Sequence, residues 1–146
     1  MRYYFAYGSN MDFDQLKERC PSAQFVSIGY LKDHALKFTI YSPVRFCGCA
    51  DIVFSQDCLV FGVVYKLSED DLRKLDYFEN VPHSYVRVKR NIMVGNIAQL
   101  IDTYTVLSKD KHTPSKKYMR HLISGAKKFG LPEEYVKFLK RIKTIG

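Results

Sequence analysis

The middle of the chain carries the short-period apolar pattern of strands, and its last thirty or so residues carry the three-to-four-residue period of helices. Arg2-Tyr3-Tyr4-Phe5-Ala6-Tyr7 is rich in aromatics and predicts a buried strand. It stops at Gly8-Ser9-Asn10, which are turn and capping residues. Met11–Arg19 then predicts a short helix, with Asp12 and Asp14 in its first turn and Lys17 and Arg19 in its last, as the helix dipole favours. Gln24–Leu31 and His34–Tyr41 read as strands joined at Lys32-Asp33, and Ser42–Phe46 as a loop. Cys49–Ser55 and Leu59–Leu67 read as a hairpin across Gln56-Asp57-Cys58. Val60–Tyr65 is nearly all apolar, as a strand covered on both faces would be, and Gly62 within it marks a bend, a bulge or a close backbone approach.

Ser68 followed by Glu69-Asp70-Asp71 predicts a helix start, and Leu72, Leu75 and Phe78 continue it to Asn80-Val81-Pro82. Tyr85–Val94 and Ile97–Leu107 pair across the turn Gly95-Asn96. Thr113-Pro114-Ser115 opens a helix with Tyr118, Leu122, Ile123 and Ala126 on one stripe, stopped by Phe129-Gly130. Pro132 sits in the first turn of a last helix, whose stripe is Tyr135, Phe138, Leu139 and Ile142. The expected class is α+β: a mostly antiparallel sheet, curled or closed into a small β-barrel and flanked by helices. With 146 residues and no repeat, one domain over 1–146 is expected.

Charge changes the picture at one end only. The net charge is +8, yet residues 1–108 hold 12 Lys/Arg against 12 Asp/Glu. Residues 109–146 hold 11 against 3, so all the excess lies on the helical section. A nucleic-acid-binding face there is the alternative reading, although the charges are spread through amphipathic helices and form no dense tract. No apolar run approaches the roughly 18 residues that span a bilayer, and the start lacks the basic and apolar regions of a secretion signal, so a cytoplasmic location is expected. The spacing of Cys20, Cys47, Cys49 and Cys58 does not fit a zinc site, and no metal is expected. These cysteines, with His34, His83, His112 and His121, permit a Cys–His nucleophile but show no local signature for one.

Two places carry candidate chemistry. At Gly8 a strand runs into a helix through a residue without a side chain, so backbone N–H groups can converge on a carboxylate, a phosphate or an oxyanion. At the end of the helix closing on Leu75-Asp76-Tyr77-Phe78, Glu79 faces the negative end of the dipole among apolar neighbours, and both effects raise a carboxyl pKa.

Tyr4-Phe5-Ala6-Tyr7-Gly8-Ser9-Asn10 resembles the YGSN substrate loop of the gamma-glutamyl cyclotransferase family. Gly62-Val63-Val64-Tyr65, then Leu75-Asp76-Tyr77-Phe78-Glu79-Asn80, is similar to that family's GVV(W/Y) strand and its helix ending in LDxxEG, with Asn80 in place of Gly. Pro114–Tyr118, Gly125–Lys127 and Gly130–Tyr135 resemble its C-terminal section. The resemblance implies Glu79 as catalytic acid/base and Tyr4, Phe5, Ala6, Tyr7, Gly8, Ser9, Asn10, Tyr85 and Tyr118 as substrate-binding residues. It implies a gamma-glutamyl amino acid or amine as substrate, 5-oxoproline as product, no cofactor, and a homodimer. The chemistry sets a condition on Glu79. An ordinary Glu near pKa 4.3 and an α-amine near 8 leave proton transfer uphill by roughly 5 kcal/mol. Glu79 therefore has to be raised by desolvation, largely buried in an aromatic pocket that also contains Gly8. Residues around the leaving group are expected in Ser42–Gly48, His83-Ser84 or Ser108–Thr113.

Overall fold

The computed structural model describes residues 1–146. Five strands form a closed barrel in the order β1 (Arg2–Ala6), β3 (Cys47–Leu67), β2 (Gln24–Ser42), β4 (Tyr85–Val94), β5 (Ile97–Val106). Neighbours are antiparallel except at the closure, where β1 meets β5 in parallel at Tyr4 and Asp102. The helices are α1 (Phe13–Arg19), α2 (Glu69–Phe78), α3 (Lys116–Lys128) and α4 (Glu133–Arg141). One cluster of 32 buried residues forms the core. The α+β class and the barrel are as expected.

One expectation fails. The predicted pairs of short strands are two long ones: β2 runs unbroken through Lys32-Asp33, and β3 through Gln56-Asp57-Cys58. There is no hairpin at Asp57. The pairing steps from Lys32 opposite Leu59 to His34 opposite Phe54, so residues 55–58 bulge across from Asp33. Asp33 and Asp57 both take left-handed backbone, at φ 59° and 67°, which short polar side chains tolerate better than most. The Asp33 carboxylate accepts a bond from the Asp57 N–H at 3.0 Å. Both strands bend together there, and neither reverses.

Smaller differences lie at helix starts. Ser9–Met11 is a single 3-10 turn, and α1 begins after Asp12, whose side chain caps it by accepting from the N–H groups of Asp14 and Gln15. Pro132 is the residue just before α4 instead of within its first turn. Ser68 and Ser115 cap α2 and α3 through their hydroxyls.

Two glycines permit close approaches that fix the future site. A Cβ at Gly62 would lie 2.4 Å from the Ala6 carbonyl oxygen, so β1 crosses β3 only because that atom is missing. A Cβ on Gly125 would lie 2.2 Å from the Met11 carbonyl oxygen. Helix α3 is thereby seated directly on the Ser9–Met11 turn.

Behind the same wall Asp51 is fully buried. It accepts bonds from the hydroxyls of Thr39 (2.8 Å) and Thr105 (2.9 Å), the N–H groups of Ile52 (2.8 Å) and Val106 (3.0 Å), and Lys109 Nζ (2.6 Å). Five donors on one carboxylate tie β2, β3 and β5 together next to Ala50.

Candidate active site

The turn after β1, the C-terminus of α2, the loop 43–46 and one end of α3 enclose a cavity of about 340 Å³. That is large enough for a small metabolite. In the turn, the first internal bond runs from Met11 N–H to Gly8 C=O at 3.0 Å. The Ser9 and Asn10 amides precede it and have no partner within the turn. Gly8 sits against Ala50 and the Tyr118 hydroxyl, where a Cβ would lie 3.2 Å from Ala50 Cβ and 3.4 Å from the hydroxyl oxygen.

Glu79 is the C-cap of α2, the residue just past its last turn, and that end is locked. Asn80 takes φ 53°, its N–H bonds Tyr77 C=O, and the Val81 N–H bonds Asp76 C=O. This is a Schellman cap, with Asn in the left-handed position that glycine most often fills. The cap turns the Glu79 side chain into the cavity. As a residue Glu79 is partly exposed, because the cavity is open to solvent.

Asn10 is the hub of the polar network. Its Nδ2 donates to Glu79 Oε1 at 3.2 Å and to the Tyr4 hydroxyl at 3.1 Å. Its Oδ1 accepts from Gln15 Nε2 at 3.0 Å and Arg19 Nη1 at 3.2 Å. Desolvation pushes the Glu79 carboxyl above its ordinary range, Arg19 and Arg45 and the Asn10 bond pull it back in part, and Asp76 pushes it up again. The condition set by the sequence is met in part: the carboxyl is raised and shares one tyrosine-lined cavity with Gly8, but Glu79 is half-buried where large burial was expected.

The tyrosines divide by what their hydroxyls already hold. Tyr85 donates to Ala50 C=O at 2.6 Å and Tyr7 to Tyr104 C=O at 2.6 Å. Tyr118 instead accepts from the Ala50 N–H at 2.9 Å, which leaves its own hydrogen to offer. Burial pushes Tyr4, Tyr7, Tyr85 and Tyr118 above the ordinary phenol range. All four are neutral walls or donors, and none is a base.

The cavity gathers Glu79, Tyr4, Tyr7, Gly8, Ser9, Asn10, Tyr85 and Tyr118. Phe5 and Ala6 are not in it. Both are fully buried in the core and pack where β1 crosses Gly62, so their part is to seat the strand. Of the segments expected near the leaving group, Ser42–Arg45 and Ser84 line the cavity, and Cys49, just past the first of them, does too. His83 and Ser108–Thr113 do not, and His112 packs behind Gly48.

Reading the sequence missed two guanidinium groups. Arg19 lies over the Phe78 ring at 5.0 Å, and Arg45 over the Tyr118 ring at 5.2 Å. The available signals were indirect: for Arg19 the capping pattern, which describes a solvated helix end, and for Arg45 only its place in Ser42–Gly48, expected near the leaving group without naming a residue. No histidine lines the cavity, and burial pushes the Cys49 thiol up to about 12, which leaves it a thiol at neutral pH. A Cys–His nucleophile therefore has no partner in this site. No group of three or more His, Cys, Asp or Glu side chains comes together to hold a metal ion.

Known proteins match this chain along nearly its whole length. The AIG2-like family matches over residues 59–139. The gamma-glutamylcyclotransferase of Bos taurus is 34% identical, covering 96% of this chain and 78% of its own, and that of Homo sapiens is 33% identical with the same coverage. A solved structure of a gamma-glutamyl cyclotransferase superposes with a TM-score of 0.94 at 32% identity, over 98% of this chain and 88% of that one. These relatives lend the nucleic-acid reading no support. With its YGSN turn, its GVVY strand and a capped glutamate in one cavity, the chain belongs to the gamma-glutamylcyclotransferase family, within the AIG2-like proteins.

Proposed function

We propose that the protein is a gamma-glutamylcyclotransferase that converts a gamma-glutamyl amino acid or amine to 5-oxoproline and the free amino acid or amine, with Glu79 as acid/base. The observation that carries this reading is the Glu79 carboxylate, raised by desolvation and held by Asn10 in the same cavity as the Gly8 turn.

Nucleophile and electrophile belong to one molecule, so the site has only to hold a near-attack shape. Glu79 takes a proton from the α-ammonium. The freed amine attacks the γ-carbonyl carbon, forming the ring C–N bond and an oxyanion. The amides of Ser9 and Asn10, unpaired within their turn, and the Tyr118 hydroxyl are donors for that oxyanion. The bond from carbon to the leaving nitrogen then breaks as Glu79 returns its proton to that nitrogen, and the second proton of the ring nitrogen passes by way of the same carboxylate to the released amine, leaving the neutral lactam N–H of 5-oxoproline and an ammonium. The carboxylate ends as it began.

A panel of gamma-glutamyl amino acids and amines, assayed for 5-oxoproline, tests the reaction. No 5-oxoproline from any of them would contradict it. The base must be ionised to act, so kcat/KM falls as pH drops through the Glu79 pKa. Because desolvation raises that pKa, the acid limb is expected above the ordinary glutamate range. A limb at or below the ordinary value would count against Glu79. A cytoplasmic location belongs to the same proposal and is checked by fractionation. So does a homodimer, for which light scattering should return about twice the 17.0 kDa of the chain. No helix is long and apolar enough to cross a membrane.

A further inference from the structure

We propose that Arg45 is a specificity-determining residue, whose guanidinium binds a carboxylate on the leaving group of the substrate. The inference rests on the cyclisation reading above.

The cavity holds three charged side chains: Glu79, Arg19 and Arg45. Neither arginine takes part in any ion pair of the chain. Both bond only neutral partners, which leaves two cationic forks without an anion. A cavity so charged matches a ligand with one ammonium and two carboxylates. A gamma-glutamyl amino acid has that set, and a gamma-glutamyl amine lacks one carboxylate.

The network assigns the two arginines to different ends of such a ligand. Arg19 and Glu79 share one side chain, Asn10. In the substrate the α-ammonium that meets Glu79 and the α-carboxylate hang from one carbon, so Arg19 stands where that carboxylate belongs. Arg45 reaches Glu79 only through two side chains, Gln15 and then Asn10. Its Nη2 bonds Gln15 Oε1 at 2.8 Å and reaches Ser9 Oγ at 3.4 Å, and its plane lies over Tyr118. That sets Arg45 beside Ser9 and Tyr118 and one side chain further along the network from Glu79 than Arg19, so the leaving group is assigned to its side.

The loop is built to hold Arg45 there. The Ser42 hydroxyl accepts from the Arg45 N–H at 3.1 Å, and the Ser42 carbonyl accepts from the Phe46 N–H at 2.7 Å. Phe46 closes the turn in left-handed backbone at φ 56°. The Tyr118 ring and the hydrogen bond to the Gln15 amide oxygen hold the guanidinium at the cavity wall, and an arginine fork is suited to the bidentate contact that carboxylates favour.

The test compares gamma-glutamyl-alanine with gamma-glutamyl-ethylamine, which differ by that carboxylate alone, in wild type, Arg45→Gln and Arg45→Lys. The readout is the ratio of the two kcat/KM values, which a general disturbance of the cavity leaves unchanged. Wild type is expected to prefer the alanine compound by roughly 10- to 100-fold, the range of a charge-assisted contact. Arg45→Gln should bring the ratio near one, and Arg45→Lys should fall between, keeping the charge but losing the fork. A ratio unchanged in Arg45→Gln overturns the assignment, including the case in which both substrates suffer equally because Arg45 binds the α-carboxylate. Failure of the wild type to form 5-oxoproline from either compound overturns the cyclisation reading itself, and the assignment with it.

Discussion

Glu79→Gln lowers the rate of 5-oxoproline formation by at least about 100-fold, the scale of a lost general base, in a protein that still folds. Gln keeps the shape of the side chain and an oxygen to accept the bond that Asn10 Nδ2 gives Glu79 at 3.2 Å. What it cannot do is take the ammonium proton. The same substitution should leave stability equal or raise it. The folded-state pKa of Glu79 lies above its ordinary value, chiefly through desolvation. Between the unfolded and folded values the native state therefore binds more protons, and stability falls as pH rises through that window. Above it the ionised carboxylate costs stability, and Gln removes that cost. The pair of readings separates catalysis from folding: a thermal midpoint at or above wild type, with activity down at least 100-fold. A variant that retains wild-type activity would remove Glu79 from the chemistry.

Asp51→Ala is expected to destabilise the protein by about 3 kcal/mol, which for a chain of this size lowers Tm by roughly 10 °C. The argument is one of orphaned donors. Lys109, whose side chain is 40% exposed, can turn its ammonium to water when the carboxylate goes. The Thr105 hydroxyl, half-buried, can turn to the Ile52 carbonyl at 3.5 Å, but the Thr39 hydroxyl and the N–H groups of Ile52 and Val106 have no such exit. Each loses its partner inside the barrel, where an unmet donor costs more than a met one contributes. The consequence reaches the site, because Asp51 adjoins Ala50, whose N–H and C=O hold the Tyr118 and Tyr85 hydroxyls. Loosening β3 there should raise KM along with the loss of stability. Thermal unfolding monitored by circular dichroism measures it, and a drop in Tm under about 2 °C would mean that the carboxylate is not the clamp its five bonds describe.

Much of the site was legible because it depends on local chemistry. Gly8-Ser9-Asn10 reads as a turn from residue type alone, and the turn is there. Asn80 reads as a left-handed cap, and it takes φ 53°. Ser68, Pro132 and Gly95-Asn96 lie at or beside the boundaries they predict. Where the reading failed, a distant partner decided. Lys32-Asp33 and Gln56-Asp57-Cys58 look like turns, and each alone would be one; they become a shared bend because the two strands are paired along their whole length and kink at the same level. Phe5 and Ala6 stand inside the motif but serve the core, since β1 crosses Gly62 at that point. Arg19 and Arg45 resemble any surface arginine in sequence. Only the fold brings Asn10, Gln15 and Tyr118 to them.

The central claim is cyclisation in this cavity, and the most direct test is to follow gamma-glutamyl-alanine with the purified protein in ¹⁸O-labelled water. Intramolecular attack uses no water, so the expected products are 5-oxoproline and alanine in equal amounts, with no ¹⁸O in either beyond the exchange of a control without enzyme. Glutamate carrying one ¹⁸O would mean that water is the nucleophile and that Glu79 serves a hydrolase, which would contradict the account.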